Sequence, residues 1–521
     1  MSDSSSMLSD ITVHSKYARY LPEKARREVW PEIVERNKAM HLKRFPELKD
    51  DIEAAYGFVH KKLVLPSMRS LQFAGRAIEV NHTRMYNCSF LPIDSVHAFS
   101  ETMFLLLSGT GVGFSVQQHH VRKLPHIVQP LASAAPAVHL VSDCIEGWAD
   151  AALALVQTYM PADGQPQPPI VFDYTALRPK GAHIVTAGGR SPGPDPLRDA
   201  IAACQRILDQ TPTGSRLSAL AVHDMVCHLS TSVASGGVRR SALISLFSPG
   251  DDEMRAAKAG SWWEENGQRA MANNSAVLDR ATLTHTEFHQ LFQAAKASNS
   301  GEPGIYVSNS PEWGTNPCCE IALESFQFCN LTEMNVSAVS SQEDLNAIAR
   351  AAAFIGTLQA AYTDFHYLRP VWRETTERAA LLGVGMTGIA SGNVLRLDMA
   401  QAARAAVDEN ARVASAIGIR PAHRVTTVKP AGTTSLVLGT SSGVHAWHAQ
   451  YYIRRMRVNK QEPLYAYLVQ RCPDLIEDDV MNPATTAVVS FPQRAPKGAT
   501  LRTESAVHVR LCVCVCVCVC V

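Results

Sequence analysis

The run from Asn316 to Asn335 concentrates side chains that can move electrons and protons. Asn316-Pro317-Cys318-Cys319-Glu320-Ile321 is followed closely by Phe328-Cys329-Asn330-Leu331-Thr332-Glu333. A thiol can give or take hydrogen, a carboxylate can accept a proton from a neighbouring hydroxyl, and an amide can orient what binds between them. If residues 317–321 are extended, side chains alternate, so that Asn316, Cys318 and Glu320 share one face. A buried strand whose thiols act as small hydrophobes accounts for the same stretch without any chemistry. Spacing argues against a zinc finger: Cys88, Cys144, Cys204, Cys227, Cys318, Cys319, Cys329 and Cys472 include no Cys-x-x-Cys pair and no finger-like histidine spacing.

These residues sit in a chain of 521 amino acids, long enough for several domains or one large α/β barrel. Forty-nine basic residues against 48 acidic ones give no electrostatic reason to expect nucleic acid or a membrane surface as partner. A local phosphate site needs no net charge and stays open. The first residues, Met1-Ser2-Asp3-Ser4-Ser5-Ser6, lack the basic and apolar blocks of a signal peptide, and no stretch approaches a membrane span. A cytoplasmic location with reduced thiols is the expectation.

The elements that must position the thiols alternate between helix and strand. Residues 1–65 read as a helical packing segment, with apolar positions at three- and four-residue steps in 23–40 and 48–63. Around Ser67 the texture turns small and Gly-bearing, as expected where backbone nears a ligand. Cys88 follows in Tyr86-Asn87-Cys88, then a helix over 98–107. Ser108-Gly109-Thr110-Gly111-Val112-Gly113 is not read as a nicotinamide loop, because a helix precedes it and a strand-like 114–117 follows. Helices are expected over 142–160, 196–209, 218–234, 251–258, 284–298, 343–364 and 399–416. Strands are expected over 170–173, 242–246, 301–308 and 381–389. The Gly- and Pro-rich run holding Lys180, Gly188, Gly189 and Arg190 reads as a long loop able to cradle phosphate, or as a solvated linker. In Thr426-Thr427-Val428-Lys429-Pro430-Ala431-Gly432-Thr433-Thr434-Ser435, a strand ends in small hydroxyl residues, which suits phosphate if a helix starts there.

Tyr86-Asn87-Cys88, Ser108 to Gly113, Asn316-Pro317-Cys318-Cys319-Glu320, Phe328-Cys329-Asn330-Leu331 and Pro430-Ala431-Gly432-Thr433-Thr434-Ser435 together resemble the catalytic chain of ribonucleotide reductases. The resemblance is strongest to the adenosylcobalamin-dependent class II, triphosphate-reducing type, and it runs from about Asp10 to Ser505. It implies a ten-stranded α/β barrel with a central finger loop. Cys318 would be the thiyl radical, Glu320 the acceptor of the ribose 3′-hydroxyl proton and Asn316 a holder of a ribose hydroxyl. Cys88 and Cys329 would be the reducing pair that ends as a disulfide. Ser67, Gly432, Thr433, Thr434 and Ser435 would bind substrate, and the loop with Lys180, Gly188, Gly189 and Arg190 would report an allosteric deoxynucleotide. A thioredoxin-like reductant, adenosylcobalamin as cofactor, no protein-bound metal ligands and a monomer or homodimer complete the expectation. Cys319 receives no role.

Two departures qualify the resemblance. Set against that resemblance, the expectation is of an N-terminus without the additional ATP-binding module common in class I large subunits, and of a chain that would stop near Arg510, short of the family's final barrel strands and tail Cys pair. The expected organisation is a helical segment (1–65), a barrel incomplete at its C-terminus (66–511) and a low-complexity tail (512–521) in which cysteine and valine alternate, as a repeat readthrough would give. A class I large subunit dependent on a radical-generating partner, and an inactive nucleotide-binding relative, are the competing functions.

Overall fold

The computed structural model describes residues 3–184, 190–234 and 242–503. Its largest sheet has six strands in the order Gly304–Ser308, Ala272–Asp279, Leu243–Phe247, Gly111–Ser115, Cys88–Pro92, Gln327–Cys329. The first five run parallel, and Gln327–Cys329 closes the edge antiparallel to Cys88–Pro92. Parallel neighbours need crossover connections, and helices supply them. His97–Leu107, Ile145–Tyr159, Asp195–Asp209 and Ala219–Ala234 pack against one another as a layer. Strands Cys88–Pro92, Gly111–Ser115 and Leu243–Phe247 are buried at every position, as expected for a sheet covered on both faces.

A second sheet begins one residue after the first ends. Leu331–Asn335 pairs in parallel with Gly383–Thr387 and antiparallel with Val64–Leu65, and Val384 adds a parallel bridge to Thr426. The long helix Gln342–Ala360 makes the crossover; its N-terminus is capped by Ser341, which accepts from the Asp344 N–H. Asn330, the joint between the sheets, is held by buried amides. Its Nδ2 donates to Gly356 O at 2.8 Å, its Oδ1 accepts from Gln359 Nε2 at 2.8 Å, and Gln359 Oε1 accepts the Ser67 N–H at 3.0 Å.

Two further layers brace this frame. Trp30–Arg44 and Lys49–His60 bury Ile33, Val34, Met40, Ile52, Tyr56 and Val59, one stripe each at helical spacing. The first helix, Asp3–Lys16, packs between Gly432–Leu438 and a C-terminal antiparallel sheet of Tyr451–Asn459, Thr486–Arg494 and Ile476–Asp478. Leu8 and Ile11 join Val458, Ala487, Val489 and Phe491 in one apolar cluster. An N-terminal segment therefore touches the C-terminal one.

Three expectations are corrected. Residues 317–321 are not extended: the Cys319 N–H closes on Asn316 O at 2.9 Å and Cys319 has φ +66°, so a turn replaces side-chain alternation. The strand expected after the glycine run is Gly111–Ser115, with two of the glycines inside it. The helix expected over 251–258 is short, Asp252–Ala256. Gly188 and Gly189, the turn before Leu243 and the cysteine-valine tail lie outside the described residues.

Candidate active site

The thiol-bearing segment is a hairpin laid across the large sheet. Gly314–Thr315 pairs antiparallel with Ala322–Leu323, and the tip between them carries Asn316 to Ile321. Close approach of backbone explains the glycines. A Cβ on Gly113 would stand 1.8 Å from Thr315 O, one on Gly111 would stand 3.1 Å from Pro317 Cγ, and one on Gly314 would enter the Phe90 ring at 2.0 Å. The run that looked like a dinucleotide loop is thus a groove in a strand, along which the hairpin passes.

At the tip, Asn316 is fully buried and organises the turn. Its Oδ1 accepts the Ile321 N–H at 3.0 Å, and its Nδ2 points at Cys88 Sγ, 3.9 Å away. Cys318 and Cys319 are exposed at the turn. Cys319 occupies the left-handed backbone region in which glycine is at ease, which the sequence did not signal.

Cys88 and Cys329 are direct cross-strand partners. Residues so opposed in an antiparallel pair have Cα atoms about 4.5–5.5 Å apart, inside the about 4.4–6.8 Å that a disulfide spans. Neither is in a disulfide here. Register is fixed by the residue beside Cys329: Phe328 points the other way, stacking on Tyr86 at 4.9 Å and meeting Trp372 at 4.9 Å and Phe365 at 4.8 Å. A slip by one residue would bury a thiol in that aromatic cluster and expose the ring.

Glu320 and Cys329 both line one cavity of about 910 Å³, with Asn330, Gly383, Thr427 and His423 among its other walls. Burial raises the Glu320 carboxyl above its ordinary range, outweighing the bond from Asn316 and the more distant Lys429 charge. Glu320 Oε2 is buried without a hydrogen bond. Burial, then the bond to Cys88, pushes the Cys329 thiol well above its usual range, so it is held as S–H. A basic lone pair with no donor, and the Cys329 thiol on the same cavity with Cys88 as its cross-strand partner, can take a hydroxyl proton and deliver two electrons.

Sequence reasoning assigned no role to Lys429 or Glu333. Lys429 Nζ lies 3.3 Å from Glu333 Oε1, both almost inaccessible, and Gly385 admits the lysine stem with its virtual Cβ 3.3 Å from Lys429 Cβ. Lys429 also lowers the proton affinity of Glu320 and Cys329. The available signal was a lone lysine between a strand and small hydroxyl residues.

The other expected site residues fall elsewhere. Ser67 is the N-cap of Met68–Phe73, its hydroxyl accepting the Ser70 N–H at 2.9 Å and donating to Met85 O at 3.0 Å. Gly432 and Thr433 open the helix Gly432–Leu438, while Thr434 and Ser435 are buried and Ser435 Oγ donates to Gly432 O. Neither Ser67 nor this turn lines the cavity. Lys180 and Arg190 are exposed on the outer loop before Asp195–Asp209, with Arg190 Nη1 donating to Gly181 O at 3.1 Å. Among the described residues no helix is long and apolar enough to cross a membrane.

No protein-family model matches the chain. It is 27% identical to the adenosylcobalamin-dependent ribonucleoside-triphosphate reductase of Lacticaseibacillus paracasei, over 93% of this chain and 79% of that protein. To the enzyme of the same name from Lactobacillus leichmannii it is 26% identical, again over 93% of this chain and 79% of the relative. The crystal structure of a B12-dependent class II ribonucleotide reductase superposes with a TM-score of 0.79 at 22% identity, covering 94% of this chain and 82% of the other. The fold is therefore the class II reductase fold, and the sequence resemblance extends over most of the chain.

Proposed function

We propose that this chain reduces ribonucleotides, in the triphosphate form that its relatives' names specify, to 2′-deoxyribonucleotides by thiyl-radical chemistry. The observation that carries the reading is the direct cross-strand pairing of Cys88 with Cys329, touched by Asn316 of the hairpin that bears Cys318 and Glu320.

Adenosylcobalamin, when bound, supplies an organic radical, and the residue suited to meet it is Cys318, exposed at the hairpin tip. The chain's own groups account for the rest. A Cys318 thiyl radical takes the hydrogen atom from the ribose 3′ carbon. Glu320 accepts the 3′-hydroxyl proton and later returns it to the 3′ oxygen; the 2′-hydroxyl leaves as water with the proton of one thiol of the Cys88 and Cys329 pair, and the hydrogen of the other thiol goes to the 2′ carbon. Those thiols give up two electrons and become a disulfide, and Cys318 returns its hydrogen atom to the 3′ carbon. The balance is one ribonucleotide and two thiols giving one deoxyribonucleotide, one disulfide and one water. Asn316 holds the tip, with its amide oxygen on the Ile321 N–H and its nitrogen directed at Cys88 Sγ.

An external dithiol of the thioredoxin type restores Cys88 and Cys329 for the next cycle. The first turn of Gly432–Leu438 takes the substrate phosphates, the loop holding Lys180 and Arg190 senses a deoxynucleotide effector, and the chain acts as a monomer or homodimer. Residues 1–65 serve as a brace and 66–511 as the catalytic unit. Purified chain incubated with ribonucleoside triphosphate, adenosylcobalamin and a dithiol is expected to form deoxynucleotide, and Cys318→Ser to abolish it. Unchanged turnover in that variant, or turnover that needs an added partner protein instead of the cobalamin, would overturn the reading.

A further inference from the structure

At the end of strand Gly111–Ser115 opposite the thiols, three side chains converge that the reaction above does not use. His119 and His120 lie on the short helix Gln118–Val121, their ring centroids 4.0 Å apart. Glu312 comes from the segment that enters the thiol hairpin, six positions before Cys318. Glu312 Oε1 is 3.2 Å from His119 Nε2, and Glu312 Oε2 is 3.2 Å from His120 Nε2. The donor atoms of all three residues lie within 4.8 Å of one another.

We infer that His119, His120 and Glu312 form a binding site for a divalent cation of the zinc type, with one coordination position left to water. Four arguments support it. Two imidazoles and one carboxylate are a donor set for such a cation, and three protein ligands leave its fourth position open. Each imidazole nitrogen lies 3.2 Å from one oxygen of the Glu312 carboxylate, so a single ion placed between the two rings has carboxylate oxygen within reach on both sides after small side-chain rotations. His120 is almost wholly buried and its Nδ1 is engaged by Ser115 Oγ at 2.8 Å, so Nε2 is the atom presented, as in metal sites whose second ring nitrogen is tied down. The fourth argument concerns His119. A shared proton explains the His120–Glu312 contact, but His119 Nε2 is sealed from solvent and makes no hydrogen bond. A cation bound to both rings and the carboxylate satisfies every donor.

The surroundings set the scaffold and one opposing charge. Gln117 Nε2 donates to Ser115 Oγ at 3.1 Å and to Pro311 O at 3.0 Å, and Gln118 is tied to Ser248 and Asp251, so both sides of the cluster are fixed. Lys123 is the nearby cation acting on both His120 and Glu312. A bound ion would link the end of a central strand to the root of the hairpin that carries Cys318.

The test is titration of the full, chelator-stripped chain with Co²⁺ alone, followed by competition with Zn²⁺. Nitrogen and oxygen ligation gives ligand-field bands without thiolate charge transfer, which separates this site from the cysteines. One equivalent of such binding is expected. Glu312→Gln and His119→Gln, both at partly exposed positions, should each weaken it at least about tenfold, and Lys123→Gln should tighten it. A spectrum of thiolate type only, or the same affinity in Glu312→Gln as in the parent chain, would overturn the assignment.

Discussion

Gly113→Ala offers the sharpest test of how the thiol hairpin is seated. Gly113 has no left-handed φ, so alanine costs nothing in backbone strain, and the effect is steric alone. The added Cβ would stand 1.8 Å from Thr315 O, in the strand that starts the hairpin. An ordinary carbon–oxygen contact needs about 3.2 Å or more, so backbone must move by roughly 1.4 Å, and a misplacement of about 1 Å can cost about 100-fold in rate. Overpacking of a filled interior costs about 1–3 kcal/mol. Gly111→Ala, with Pro317 Cγ at 3.1 Å, needs a shift of only a few tenths of an ångström, and Gly432→Ala meets nothing within 4 Å. The expected order of loss is Gly113→Ala far beyond Gly111→Ala, with Gly432→Ala unstrained. The assay is a single turnover by pre-reduced chain without external dithiol, run beside urea unfolding to separate rate from stability. Parent-like single turnover by Gly113→Ala would refute the account of the glycine groove.

Three other outcomes follow from the site. Cys88→Ser and Cys329→Ser should each remove the single turnover, and peptide mapping of the parent chain after one turnover should find a disulfide joining Cys88 and Cys329; a different pairing would refute the cross-strand reductant. Glu320→Gln should lower the rate by about 100-fold or more. Because burial raises the Glu320 pKa, the folded chain binds that proton more tightly than the unfolded one, so the group's full cost to stability is present above its folded pKa, shrinks as pH falls from there, and is gone below the ordinary carboxylate pKa of the unfolded chain. Glu320→Gln should therefore be more stable than the parent at neutral pH, with the difference closing in acid, as read by urea midpoints across pH. Lys429→Met strands the fully buried Glu333 and should cost about 3–5 kcal/mol, with the double variant Lys429→Met/Glu333→Gln recovering much of it. The same single variant should move the acid limb of the pH–rate profile upward, since a charge that eases Glu320 ionisation is gone.

The linear chain was enough to determine the periodic elements and the order of the chemical residues. Met399–Ala416 and Ile170–Asp173 carry their patterns in contiguous residues, and so were legible to the residue. Cys88, Cys318, Glu320 and Cys329 could be named from residue type and motif order, since electron and proton chemistry admits few side chains. What those residues touch was decided by tertiary structure. The turn at Asn316 to Ile321 follows from a side-chain amide bonding a backbone five residues on, and from the pressure of the hairpin on Gly113, neither of which local pattern encodes. The Lys429–Glu333 pair joins residues 96 positions apart, and the His119–His120–Glu312 cluster joins segments 192 apart. Ion pairs and donor clusters depend on distances of a few ångströms, which sequence separation leaves undefined until strands have taken their register.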